Sequence, residues 1–173
     1  MSGAPAQILH SETEIAERVA QIARDIASAR LKPDMAVAIL SGAFVFAADL
    51  LRALAKEGLS LPLEFFWLRS YAGRREAGDI AVLVGPTANI HGKTVLLIDG
   101  VLDGGHTIAK AHALLNEAEA AAIITVVAVD KALDGAIAKA DHALFTGTHG
   151  FIVGYGMDDA GKDRGLPYIA RVD

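Results

Sequence analysis

The chain has 173 residues, 53% of them hydrophobic, with a formal net charge of -5 and no cysteine. That length suits one domain with its own core, and the apolar content is too high for a disordered chain. The acidic balance argues against a role in non-specific nucleic-acid binding, and the lack of thiols excludes disulfides, thiolate zinc sites and a cysteine nucleophile.

The opening MSGAPAQILH shows no basic stretch leading into an apolar one. The longest apolar run, Ala120–Val129, falls well short of the roughly 20 residues that a spanning helix needs. A cytoplasmic protein without a membrane segment is expected. Ser11-Glu12-Thr13-Glu14 has the pattern of a capping box, and Ile15, Val19, Ile22 and Ile26 recur at helical spacing. The spacing predicts a helix to about Leu31, ended by Lys32-Pro33-Asp34. Met35–Leu40 is short and apolar enough for a buried strand, Ser41-Gly42 makes a turn, and Phe44–Lys56 reads as a helix with Phe46, Leu50, Leu51 and Leu54 inward.

Leu63–Leu68 and Ile80–Val84 read as strands on either side of a polar loop, Tyr71–Gly78. Thr94–Ile98 is a strongly apolar strand that delivers Asp99 at its end, and Gly100, Gly104 and Gly105 make the next turn glycine-rich. A helix over about Thr107–Glu119 follows, then strands at Ile123–Val129 and Ala140–Leu144, a short β segment at Phe151–Gly154 and an extended tail, Arg164–Val172. Strands separated by helices, with runs apolar on both faces, predict an α/β domain with a mostly parallel sheet flanked by helices. Ligands in such sheets lie beyond the carboxyl ends of the strands, which directs attention to the residues after Leu40, Ile98 and Val129.

The segment Thr94–Thr107, TVLLIDGVLDGGHT, is the most informative. Its glycines let backbone N–H groups converge on an anion, and a helix N-terminus adds a favourable dipole. Taken alone, the pattern fits an ordinary strand–turn–helix junction equally well. It carries neither a Walker A lysine nor a GxGxxG fingerprint. The six histidines have no metal-ligand spacing.

TVLLIDGVLDGGHT resembles the phosphoribosyl-pyrophosphate signature of type I phosphoribosyltransferases. Further segments resemble the hypoxanthine-guanine branch in the same order: LSGAFVFAADLL at Leu40–Leu51, Ser70-Tyr71, GDIAVL at Gly78–Leu83, Asp130-Lys131, and FIVGYGMDDAGKDRGLPYI at Phe151–Ile169. The resemblance implies a single domain over residues 1–173, with a small hood formed mainly by 145–173. It implies transfer of a 5-phosphoribosyl group from its 1-diphosphate to hypoxanthine or guanine, with Mg2+, in a chain that forms a dimer or tetramer and engages neither nucleic acid nor membrane. A catalytically weak, nucleotide-sensing regulator on the same fold is the alternative.

The resemblance also implies roles. Asp103 would be the proton partner near purine N7. Gly104, Gly105, His106 and Thr107 would hold the 5′-phosphate, and Asp99 would meet the ribose hydroxyls. Ser41 and Gly42 would offer backbone to pyrophosphate, which Arg164 would also contact. Lys131 would donate to the 6-oxo group, Phe151 would stack on the base, and Ile152 would present its backbone to the base edge. Asp158 would help hold the metal, and Ser70 and Tyr71 would close over the site. The chain departs from the pattern at Gly100, where a second acidic residue is usual, at Ser41, where a lysine is usual, and in Asp-Gly-Gly for Asp-Thr-Gly. The missing carboxylate predicts that Gly100→Asp would strengthen donor binding or catalysis about tenfold, since ~1.4 kcal/mol is a factor of ten.

Overall fold

Strands buried on both faces need apolar side chains at every position, and Met35–Leu40 and Thr94–Ile98 meet that need. A computed structural model describes residues 7–70, 80–86 and 90–172. In chain order they form β1 (Gln7–His10), α1 (Glu12–Ser28), β2 (Met35–Leu40), α2 (Phe44–Lys56), β3 (Leu63–Ser70), β4 (Ile80–Val84), β5 (Thr94–Leu102), α3 (His106–Glu117), β6 (Ala122–Asp130), β7 (His142–Thr146), β8 (Phe151–Val153) and β9 (Ile169–Val172). The large sheet has the order β4-β3-β2-β5-β6-β7 and is parallel except for antiparallel β4 at one edge. The α/β expectation therefore holds. No helix among the described residues is long and apolar enough to cross a membrane.

Alternation along the central strands divides the core between the two faces. Ala36, Ala38, Leu96 and Ile98 pack with Ile15, Val19, Phe46 and Leu50 from α1 and α2. Val37, Ile39, Val95 and Leu97 pack with Ile108, Ala111 and Leu115 from α3. A second, antiparallel sheet, β1-β9-β8, joins the first of these clusters through Ile152 and Ile169.

The capping box of α1 is formed: the Ser11 backbone N–H donates to Glu14 Oε2 at 2.8 Å, and the Glu14 N–H donates to Ser11 Oγ at 3.3 Å. The helix stops at Ser28, short of Leu31. Ala29 is extended there, its N–H turns back to Ile26, and Pro33 disfavours helix at Lys32. β5 continues past Ile98 to Leu102, because nine-residue β6 offers partners as far as Asp130. α3 begins at His106 and ends at Glu117, followed by left-handed Glu119 (φ 57). β7 lies two residues beyond the expected start, at His142. β1 had no counterpart in the sequence reading; its four residues pair with β9. The expected polar loop, Tyr71–Gly78, lies outside the described residues, while β3 and β4 run antiparallel on either side of it.

Candidate active site

A cavity of about 480 Å³ opens at the carboxyl ends of β2, β3, β5 and β6, bounded by β8 and the segment that leads to Arg164. Of the expected residues, Ser41, Gly42, Asp99, Asp103 and Thr107 line it from the sheet side. Lys131, Phe151, Ile152, Asp158 and Arg164 complete the wall. Gly104, Gly105 and His106 make the turn between Asp103 and Thr107 and stand outside the wall. Ser70 ends β3 next to Arg69, a wall residue, and Tyr71 lies outside the described residues. A larger cavity, about 650 Å³, lies between α1, α2 and residues 164–167 and shares only Arg164 with the first. The smaller one is the candidate, because Asp103, Thr107 and Lys131 converge on it at the strand ends.

Asp103 and Lys131 come from adjacent parallel strands, and each projects just beyond its strand's end. The Lys131 N–H donates to Leu102 O at 3.0 Å, and the Ala132 N–H to Asp130 Oδ1 at 2.8 Å, which fixes the turn after β6. Lys131 Nζ then reaches Asp103 Oδ2 at 2.8 Å. The lysine side chain is 15% exposed and the carboxylate 56%, so the pair sits at the boundary with solvent and contributes little to stability.

Gly105 opens α3 with φ 87, and a Cβ there would lie 2.7 Å from the Ala138 nitrogen. Only glycine suits both demands. The Ile137 N–H donates to Gly104 O at 3.1 Å, bracing the turn from behind. The first amides of α3 have no partner within the helix and are free to meet an anion. Segment 133–138 carried no sequence signal for this bracing role.

Asp99 is not at the end of its strand. It pairs with Val127 inside β5 and is buried at 8% exposure. Burial pushes its carboxyl up to about 7, against the pull of the Gly100 N–H that donates to Oδ1 at 2.7 Å. Near neutrality it is therefore poised between acid and carboxylate.

Packing argues against the gain expected from a side chain at Gly100. A Cβ on Gly100 would lie 2.9 Å from Gly42 O and 3.1 Å from Gly42 C. A Cβ on Gly156, whose φ is 100, would approach the same carbonyl oxygen closer still. The loop after β2 thus lays its Gly42 carbonyl between two glycines, and a side chain at position 100 would displace it. The Leu40–Ser41 peptide that enters this loop is cis.

The remaining wall comes from the segment after β8. Phe151 is 53% exposed, an apolar ring facing open space, whereas Ile152 is buried. Asp158 accepts the Gly161 N–H at 2.7 Å through Oδ2 and pairs with Arg164 at 2.6 Å through Oδ1. Arg164 Nη1 also donates to Gly156 O at 2.7 Å. Sequence reasoning missed Tyr155, whose hydroxyl donates to Asp49 Oδ2 at 2.9 Å and ties this segment to α2. No local pattern links residues so far apart. It also missed Arg69 and Met157 on the wall. For Arg69 a signal existed: it shares a strand face with the exposed Phe65 and Trp67.

The described residues include no group of three or more His, Asp or Glu side chains able to hold a metal ion unaided. One wall carboxylate such as Asp158 suits a hard cation that keeps waters and phosphate oxygens as its other ligands.

The sequence pattern of the phosphoribosyl transferase domain family matches residues 6–160. The chain is 33% identical over 175 residues to the hypoxanthine-guanine phosphoribosyltransferase of Aquifex aeolicus, covering 99% of this chain and 97% of that one. It is 31% identical over 172 residues to the hypoxanthine phosphoribosyltransferase of Escherichia coli K12, covering 96% and 94%. It is also 30% identical to the bifunctional protein TilS/HprT of Listeria innocua, covering 94% of this chain and 25% of that longer protein. Among solved structures, the hypoxanthine phosphoribosyltransferase of Trypanosoma cruzi in complex with the product IMP superposes with a TM-score of 0.86 at 27% identity, covering 100% of this chain and 96% of that one.

Proposed function

The chain belongs to the phosphoribosyl transferase domain family, and from that premise we infer that it is a purine-salvage enzyme of the hypoxanthine-guanine type. It transfers the 5-phosphoribosyl group from 5-phospho-α-D-ribose 1-diphosphate to hypoxanthine or guanine, giving the nucleoside monophosphate and diphosphate. The observation that carries this assignment is one wall on which Lys131 Nζ lies 2.8 Å from Asp103 Oδ2 with exposed Phe151 lining the same cavity. A free 6-oxopurine in its N7–H form presents the O6 acceptor and the N7–H donor side by side, and so meets the ammonium and the carboxylate together. Its π-face gives Phe151 a partner.

The residues divide the work. Lys131 donates to the 6-oxo group, and Asp103 takes or holds the proton of the imidazole edge while the base nitrogen attacks the anomeric carbon. Thr107 and the amides of residues 104–107 hold the 5′-phosphate. Asp99 accepts from ribose hydroxyls when ionised. The Ser41–Gly42 backbone and Arg164 receive the leaving diphosphate, which must be stabilised as its charge develops. Asp158 would hold Mg2+ together with phosphate oxygens, and the ion would supply charge neutralisation to the leaving group. Ser70 and Tyr71 would close over the site and exclude water.

The rival, a regulator that senses nucleotide without catalysis, drew its support from Gly100. The close approach of Gly100 to the Gly42 carbonyl gives that glycine a packing reason of its own, which weakens this support. Self-association into a dimer or tetramer belongs to the same proposal, and light scattering tests it. The deciding assay measures initial rates with hypoxanthine, guanine, xanthine and adenine, each with the phosphoribosyl donor and Mg2+. Turnover of hypoxanthine or guanine is expected. No turnover of either, or a preference for adenine, would overturn the assignment.

A further inference from the structure

Among the described residues, the wall of the candidate active site carries three cations, Arg69, Lys131 and Arg164, and three carboxylates, Asp99, Asp103 and Asp158. Two of the cations are already committed. Lys131 is paired with Asp103, and Arg164 is held by Asp158 and by the Gly156 carbonyl. The Arg69 side chain has no carboxylate or hydrogen-bond partner among the described residues, and the residue stands exposed on β3. A polyanionic donor entering this cavity needs a cation that is not already neutralised, and among the described residues of the wall Arg69 supplies it.

Its position agrees with that need. β2 and β3 run parallel with Leu40 paired to Trp67, so Arg69 lies two residues beyond the last pair, level with the Ser41–Gly42 loop that leaves β2. Strand alternation puts Arg69 on the face of Trp67 and turns Leu68 into the core behind. The Ser41–Gly42 loop supplies backbone and a hydroxyl and brings no charge of its own. On the basis of the proposed transferase function, we propose that Arg69 is a further diphosphate-binding residue, the cation that neutralises the leaving group on the β2–β3 side of the cavity while Arg164 acts from the other side.

A guanidinium on a diphosphate makes charge-assisted, often bidentate hydrogen bonds that glutamine cannot replace and lysine replaces in part. Arg69→Gln, Arg69→Lys and the double variant Arg69→Gln with Ser41→Lys test the role. Arg69→Gln should raise the KM for the phosphoribosyl donor about tenfold or more, with the KM for hypoxanthine within about twofold. Calorimetric titration with inorganic diphosphate and Mg2+ should show the same loss of affinity, partial recovery in Arg69→Lys, and recovery in the double variant, where the charge returns from the neighbouring strand. Equal donor KM and equal diphosphate affinity in wild type and Arg69→Gln would overturn the proposal and leave the transferase assignment standing. A wild-type chain that binds diphosphate through Arg69 yet turns over no purine would unseat that assignment and keep this residue's role. A chain with no affinity for diphosphate would overturn both.

Discussion

Lys131 Nζ donates to Asp103 Oδ2 at 2.8 Å, so the ammonium assigned to the 6-oxo group and the carboxylate assigned to N7 hold one another before a base arrives. Each fixes the other's direction, and an entering 6-oxopurine in its N7–H form would exchange one ion pair for two hydrogen bonds. Asp103→Asn removes the proton-carrying member. Turnover should fall by roughly 10²–10⁴-fold, the range of a general acid–base group, with donor affinity retained. Single-turnover rates and donor titration check this, and near-normal turnover would return Asp103 to the status of a turn residue.

Lys131 should decide base choice. The wild type should use hypoxanthine or guanine well and adenine poorly, because a site built to donate to O6 leaves its donor unpaired against an amino group. Lys131→Met should lower kcat/KM for hypoxanthine by about tenfold to a hundredfold, in keeping with roughly 1.5–3 kcal/mol for a hydrogen bond to a charged group, and should narrow the gap to adenine. Adenine used as readily as hypoxanthine by the wild type would contradict this role.

At position 100 packing argues against the gain expected from sequence. A side chain there presses on the Gly42 carbonyl, so even Gly100→Ala should cost about 1–3 kcal/mol, as overpacking does elsewhere. Gly100→Asp should be no better a donor binder than the wild type. Thermal melts of both variants beside donor titration will tell. Unchanged melting together with a tenfold gain in donor affinity would mean that the loop yields freely.

Asp99 should leave a signature in the pH dependence of stability. Its carboxyl rises from an ordinary 3.8 to about 7 in the fold, so the folded state holds a proton that the unfolded state releases. Stability from this group is complete below about pH 4 and is lost as pH rises through about 7. Asp99→Asn, neutral throughout, should therefore gain on the wild type in melting temperature as pH rises across that window. A constant difference between the two from pH 4 to 8 would show that burial does not shift this group.

Elements whose pattern is carried by their own residues were legible in the sequence: the capped α1, the uniformly apolar β2, and α2 with its inward Phe46, Leu50 and Leu54. Ser41, Asp103 and Lys131 were legible as residues lining the cavity because they follow strand ends in ordered motifs. What could not be read depends on contact between distant segments. Asp99 lies inside a strand because β6 runs long enough to pair with it. Gly100 is glycine because of Gly42, and Gly105 because of Ala138. Tyr155 finds Asp49 across the fold, and no spacing rule connects them.

The strand that carries Phe151 pairs with β9, and β9 is flanked in turn by β1, with Arg171 donating to Gln7 across 164 positions of chain. Closing so long a loop is entropically slow, and contacts of this range consolidate late. The wall against which a base would stack should therefore be the last part of the molecule to become firm and the first to loosen. Amide exchange in β1, β8 and β9 should outpace that in β2 and β5, and a lesion in β1, none of whose residues lines the cavity, would be felt as weaker purine affinity.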